Sequence, residues 1–221
     1  MTRVAYHKAL EELENELMVM GEMVAKAIKD SIEALKKRDF EMSKEIIKND
    51  LLINKKRFEI EERCLQMIAT QQPMAIDLRT IAAILSIITD LERIGDHAEG
   101  NAKINLLIGS EPLVKQLIDV PRMSEKGLSM LDRVLKAFIN RDAKTARAIC
   151  DEDDEVDALY DQIYRELLLL MIENPKKIEG ATYLIWLAHN LERIADRVTN
   201  IAERVVFMVT GKMEEVNVSK Y

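Results

Sequence analysis

The sequence predicts an all-α protein built as two tandem, pseudo-symmetric three-helix up-down bundles, six long helices in all. Three observations carry that expectation. Helix breakers are few in 221 residues, with Gly 7 and Pro 4, while aromatic residues make up only 5% and charged residues 32%; such a composition suits long amphipathic helices. Apolar residues recur in steps of three and four over unbroken stretches. The same phrase is written twice about a hundred residues apart, LERIGD at 91–96 and LERIAD at 191–196.

The candidate corners are Arg38-Asp39, Gln72-Pro73, Gly109 to Pro112, Asn140 to Asp142, Asn174-Pro175 and Thr210-Gly211. They leave helices joined by short turns, and Pro73 and Pro175 suit the first turn of a new helix. In the last helix Leu184, Leu187, Leu191, Ile194, Val198, Ile201, Val205 and Met208 form a heptad seam. The third helix repeats it with Ile84, Ile87, Leu91, Ile94 and Ala98, after which Asn101 and Asn105 take seam positions. Those two either shape a pocket or mark the fraying end of the bundle. The halves align throughout: DLLIN at 50–54 with DDEVD at 153–157, Pro73 with Pro175, LERIGD with LERIAD. Residues 1–110 form the first bundle and 111–210 the second, packed end to end or side by side. The tail at 211–221 has no clear period and is expected to be loose.

Charge and motif content exclude several functions. A formal net charge of -7 argues against nucleic-acid binding and against docking on an anionic membrane. The first residues turn acidic and lack the apolar core of a signal peptide, and the longest apolar run, LLLLMI at 167–172, is too short to span a bilayer. Cys64 and Cys150 stand apart among apolar residues, as buried free thiols do in a reducing cytoplasm. No Gly-rich phosphate loop, Cys-x-x-Cys, His-Glu-x-x-His or Glu-x-x-His motif occurs. The chain is not expected to be an enzyme.

The repeated phrase carries the chemistry. Glu192 and Asp196 stand one helical turn apart, as do Glu92 and Asp96, so each pair shares a helix face. By helical neighbours both glutamates lack a cation, and relative to the Leu191/Ile194 seam the acids point away from the core. His189 and Asn200 extend the second stripe and Glu99 the first, as possible additional ligands. The antiparallel second helix of each half brings Asp153 and Asp157 opposite Glu192 and Asp196, and Asp50 with the neutral Asn54 opposite Glu92 and Asp96. Oxygen donors facing one another in this way suit a hard cation: Mg, Mn, Ca or oxidised iron. The bland alternative is a solvated acidic face.

DLERIGD at 90–96, NLERIAD at 190–196, the Asp153/Asp157 pair and the tandem heptad helices together resemble the PhoU family, along nearly the whole chain. The resemblance implies paired three-helix bundles. It implies metal ions held by Glu92, Asp96, Glu192, Asp196, Asp153, Asp157 and Asp50, with the first-half site weakened by Asn54. It also implies a cytoplasmic negative regulator of phosphate uptake, a homodimer that relays the state of a phosphate ABC transporter to a membrane-bound sensor histidine kinase. A purely structural scaffold and a metal-dependent phosphohydrolase are the alternatives.

Overall fold

The computed structural model describes residues 3–213, with side chains described from residue 6 onward; the expected looseness of the tail therefore falls, for residues 214–221, outside the described residues. The elements are α1 (Arg3–Lys37), α2 (Phe40–Gln71), α3 (Ile76–Ile108), α4 (Asp119–Asn140), α5 (Ala143–Asp151), α6 (Asp153–Glu173), a 3-10 turn (Pro175–Lys177) and α7 (Ile178–Thr210). All are helical. Among the described residues no helix is long and apolar enough to cross a membrane.

The corners have local causes. Arg38 and Arg141 both take the left-handed conformation, φ 57° and 55°. That backbone turn lets the next amide reach back to close the helix: Asp39 N donates to Ala34 O and Asp142 N to Ala137 O, both at 2.9 Å. The same two aspartates then cap the following helices, Asp39 accepting from the amide of Met42 and Asp142 from those of Lys144 and Thr145. Two expectations are corrected in detail. Pro73 lies in the link before α3, which starts only at Ile76, whereas Pro175 opens the 3-10 turn that leads into α7. The fifth helical rod is jointed at Glu152, so that it becomes α5 and α6. No proline or glycine causes this. Glu152 instead receives both Nη atoms of Arg133 on α4, at 2.6 Å each, and its amide turns tightly onto Ile149 O.

Helices α1, α2 and α3 pack on one another, as do α4, α6 and α7 with α5 on α7. The halves then lie side by side. Helix α3 runs along α7 and α1 contacts α4. The seam residues Ile84, Ile87, Leu91, Ile94, Leu184, Leu187, Leu191, Ile194 and Val198 are all buried in one core cluster that continues through both halves.

Polar contacts fix the register of α3 against α7. Arg79 Nε donates to Met208 O, Asp90 meets Arg197 at 3.4 Å, and His97 Nδ1 lies 3.3 Å from Asn190 Oδ1. Numbers rise along one helix and fall along the other, so the pair is antiparallel. Asp90–Arg197 and Asn190–His97 are one pair of repeat positions exchanged between halves, the signature of a pseudo-two-fold axis. The seam asparagines do not mark a fraying end, since α3 continues to Ile108. Asn101 and Asn105 are both wholly buried. Asn105 donates to Ala34 O and Ser43 Oγ and accepts from Arg38, tying the α1/α2 corner to α3. Asn101 Oδ1 accepts from Asn190 within the α3/α7 seam. Gly100 permits that contact, since a Cβ there would sit 2.9 Å from Asn190 Nδ2.

Candidate metal centres

Each acidic face joins the middle of a core helix to its antiparallel neighbour. In the second half α7 carries Glu192 and Asp196, and α6 carries Asp157 in their field and Asp153 as its first residue. Burial raises the pKa of Asp157, and the charges of Glu192 and Asp196 raise it further, so the three carboxylates share one field. Asp196 is also raised, by burial first and against the opposing pull of Arg193. Asp153 is 2% exposed. His189 Nδ1 lies 3.5 Å from Glu192 Oε2, on the stripe as its spacing requires, and its ring packs against Tyr160.

The sequence reading of Glu192 needs correction. It is 8% exposed rather than turned from the core, and it has a cation. Arg193 Nε donates to Glu192 Oε2 at 2.6 Å, Nη2 reaches Oε1, and Nη1 reaches Asp196 Oδ2 at 2.7 Å. Helical-neighbour counting passes over the adjacent residue, yet a guanidinium on a long stem folds back along its own helix. Asn200 is also placed differently. Its Nδ2 lies 3.5 Å from Asp90 Oδ1 across the α3/α7 seam, turned to the other half rather than to the acids of its own.

In the first half Glu92, Asp96 and Glu99 on α3 face Asp50 on α2. Asp50 is 9% exposed. Its Oδ2 accepts from Asn54 at 2.9 Å, while its Oδ1 is buried with no hydrogen-bond partner. Burial pushes its pKa up to about 6, helped by the negative charges of Glu99, Asp96 and Glu92 in that order. The free oxygen lies over Gly95, where a Cβ would come within 3.4 Å of it. A cavity of about 170 Å³ opens beside it between α1, α2 and α3, bordered by Met23, Lys26, Ile46, Asp50, Ile53 and Glu99. Arg93 lies more loosely here than Arg193 does in the second half, 3.5 Å from Glu92 and 3.0 Å from Asp96. Glu99 pairs with Lys103 at 2.6 Å.

The donor chemistry fits a hard cation: carboxylates from two helices, and in the first half a buried Asp50 oxygen left without a hydrogen bond. As placed, however, no three acidic, His or Cys side chains among the described residues converge closely enough to hold an ion. The arginines occupy the oxygens instead, so ligation requires Arg93 and Arg193 to swing away. Sequence reasoning missed Gly95, whose signal was the single difference between LERIGD and LERIAD. It also missed the seam set Asp90, Arg197, His97 and Asn190, whose signal was polar residues at equivalent positions of both core helices. Cys64 and Cys150 are buried free thiols, as expected, and burial pushes both up to about 12.

Fold and faces together define a class: a tandem three-helix-repeat protein with acids displayed on its core helices and pinned by their own arginines. The profile of the PhoU domain family matches residues 17–104 and 120–205, and the chain belongs to that family. It is 40% identical over 218 residues to a phosphate-specific transport system accessory protein PhoU homolog of Clostridium acetobutylicum, covering 98% of this chain and 100% of that one. It is 39% identical over 206 residues to the homolog of Aquifex aeolicus, covering 93% of each. Among solved structures, the phosphate transport system regulatory protein PhoU of Streptococcus pneumoniae superposes with a TM-score of 0.88 at 33% identity, over 95% of this chain and 99% of the other. PhoU from Pseudomonas aeruginosa gives 0.89 at 33% identity, over 94% and 100%. These are regulatory and accessory proteins rather than enzymes.

Proposed function

We propose that this protein is a negative regulator of phosphate uptake and of phosphate-starvation signalling. It acts as a cytoplasmic homodimeric adaptor between a phosphate ABC transporter and a membrane-bound sensor histidine kinase. The observation that carries this reading is the acid phrase written twice on the two core helices of a chain that belongs to the PhoU family over both repeats. A hard cation such as Mg, Mn or Fe, when bound, supplies positive charge to the carboxylates.

The chain's own residues determine what that charge acts on. Asp50 belongs to α2, and Asp153 and Asp157 to α6; Glu92, Asp96 and Glu99 belong to α3, and Glu192 and Asp196 to α7. Repulsion across each helix pair rises when these acids are ionised and falls when they are neutralised, so neutralisation biases how closely α2 lies on α3 and α6 on α7. Arg93 and Arg193 neutralise the faces internally and become available to solvent or partners when displaced.

Deletion of the gene should derepress phosphate-starvation genes in phosphate-rich medium. The wild-type chain should restore repression, and the Glu92→Ala/Asp96→Ala/Glu192→Ala/Asp196→Ala variant should not. An unchanged phosphate response after deletion would defeat the proposal.

A further inference from the structure

The two acidic faces are near copies in sequence but not in their internal counter-ions. In the second half Arg193 makes two contacts with Glu192 and one with Asp196. A guanidinium gripping one carboxylate through two nitrogens and a second carboxylate through a third is a strong, geometrically specific arrangement. It places a tethered cation where a free one would sit. In the first half Arg93 touches the same two acid positions at 3.5 and 3.0 Å, and its side chain is more exposed, 56% against 41% for Arg193. It is the looser competitor.

A second observation on the first face is independent of the arginines. Asp50 Oδ1 is a buried carboxylate oxygen without a hydrogen bond, on a residue nine-tenths buried, close to Gly95 and in the field of Glu99, Asp96 and Glu92. The cavity beside it, about 170 Å³, is large enough for several waters. Hard divalent cations such as Mg²⁺ keep part of their hydration shell and take few protein ligands. The position equivalent to Gly95 is Ala195, wholly buried, so a methyl group stands in the second half where the first has none.

Resting on the metal reading above, we propose that the two faces are unequal. The first-half face of Asp50, Glu92, Asp96 and Glu99 is the tight site for a partly hydrated divalent cation. The second-half face is latched by Arg193 and binds the ion only at higher concentration. This reverses the order that Asn54 alone suggests. A neutral amide removes one donor, but it also donates to Asp50 Oδ2 and leaves Oδ1 directed at the site.

Calorimetric titration of the chelator-treated full chain with Mn²⁺ tests this, with helix content by circular dichroism as a folding control. The wild type should show two classes of site at least tenfold apart in affinity. Arg193→Gln should tighten the weaker class by tenfold or more and leave the tighter one in place. Arg93→Gln should change binding by less than threefold. Asp50→Asn should remove the tight class alone, and Gly95→Ala, which crowds the free oxygen, should weaken it. Two equal sites in the wild type, or an Arg193→Gln isotherm that overlays the wild type while binding persists, overturns the inequality and leaves the metal reading standing. No heat in any variant overturns the metal reading itself and this inference with it.

Discussion

The corner between α1 and α2 and the corner between α4 and α5 are built on the same backbone and filled with opposite chemistry. Each has a left-handed arginine followed by an aspartate that caps the next helix. Beneath the first lie Ser43 and Asn105, joined to each other and to Ala34 O and Arg38. The equivalent positions of the second are Ala146 and Val205, both wholly buried. A repeated fold therefore fixes where the chain turns but not the polarity of what fills the turn. A polar filling is tolerated only when nearly every donor and acceptor is met.

The largest expected effect breaks that comparison directly. Asn105→Val gives the first corner the residue of the second but takes one partner each from Ser43 Oγ, Ala34 O and the Arg38 guanidinium, which keep only Asp39 O, Asp39 N and the carbonyls of Gly109 and Glu111. It should cost about 3 kcal/mol in urea unfolding. Val205→Asn buries an amide with no prepared partners and should cost about 2 kcal/mol or more. A loss below about 1 kcal/mol in both would mean that the corners are interchangeable, against this account.

The second comparison sets Asp50 against its own protonated form. Its folded pKa of about 6 lies above its ordinary 3.8, so the folded state prefers the proton. The resulting penalty is fully present above pH 6, shrinks as pH falls from 6 toward 3.8, and is absent below. Asp50→Asn should therefore stabilise the chelator-treated protein by about 2 kcal/mol at pH 7 and by almost nothing near pH 3.5. Destabilisation at pH 7 would contradict the buried, uncompensated oxygen.

The smallest effect concerns the α3/α7 seam, which is ionic at one end and neutral at the other. Asn190→Asp would place a carboxylate beside His97, whose pKa is now lowered by burial, and should make both ends ionic. The His97 ring should then titrate at higher pH by NMR, with stability changed by less than about 1 kcal/mol. A downward shift or none would remove His97–Asn190 from the register contacts.

How much of this was legible in the sequence follows from the range of each interaction. Corners, seams and the repeat were readable because propensity, caps and heptad spacing are local. The side-by-side packing and the joint at Glu152 were not, since the joint is made by Arg133 from a different helix. The acidic faces were legible as faces, and Asp50 and Asp157 do share a field with their partners. Their neutralisation was not, because spacing rules for helix faces ignore a long arginine one residue away. Asn101 and Asn105 read as defects along one helix and acquire partners only once other helices are beside them.

The central claim, that these twin faces are cation sites, is tested most directly by thermal unfolding of the chelator-stripped protein with and without Mn²⁺. The wild type is compared with the Glu92→Ala/Asp96→Ala/Glu192→Ala/Asp196→Ala variant. Mn²⁺ at about a hundred times its dissociation constant should stabilise the wild type by about 2.7 kcal/mol per site, seen as a rise in Tm, while the variant should melt at one temperature in both buffers. Equal shifts in the two proteins, or none in either, would contradict it.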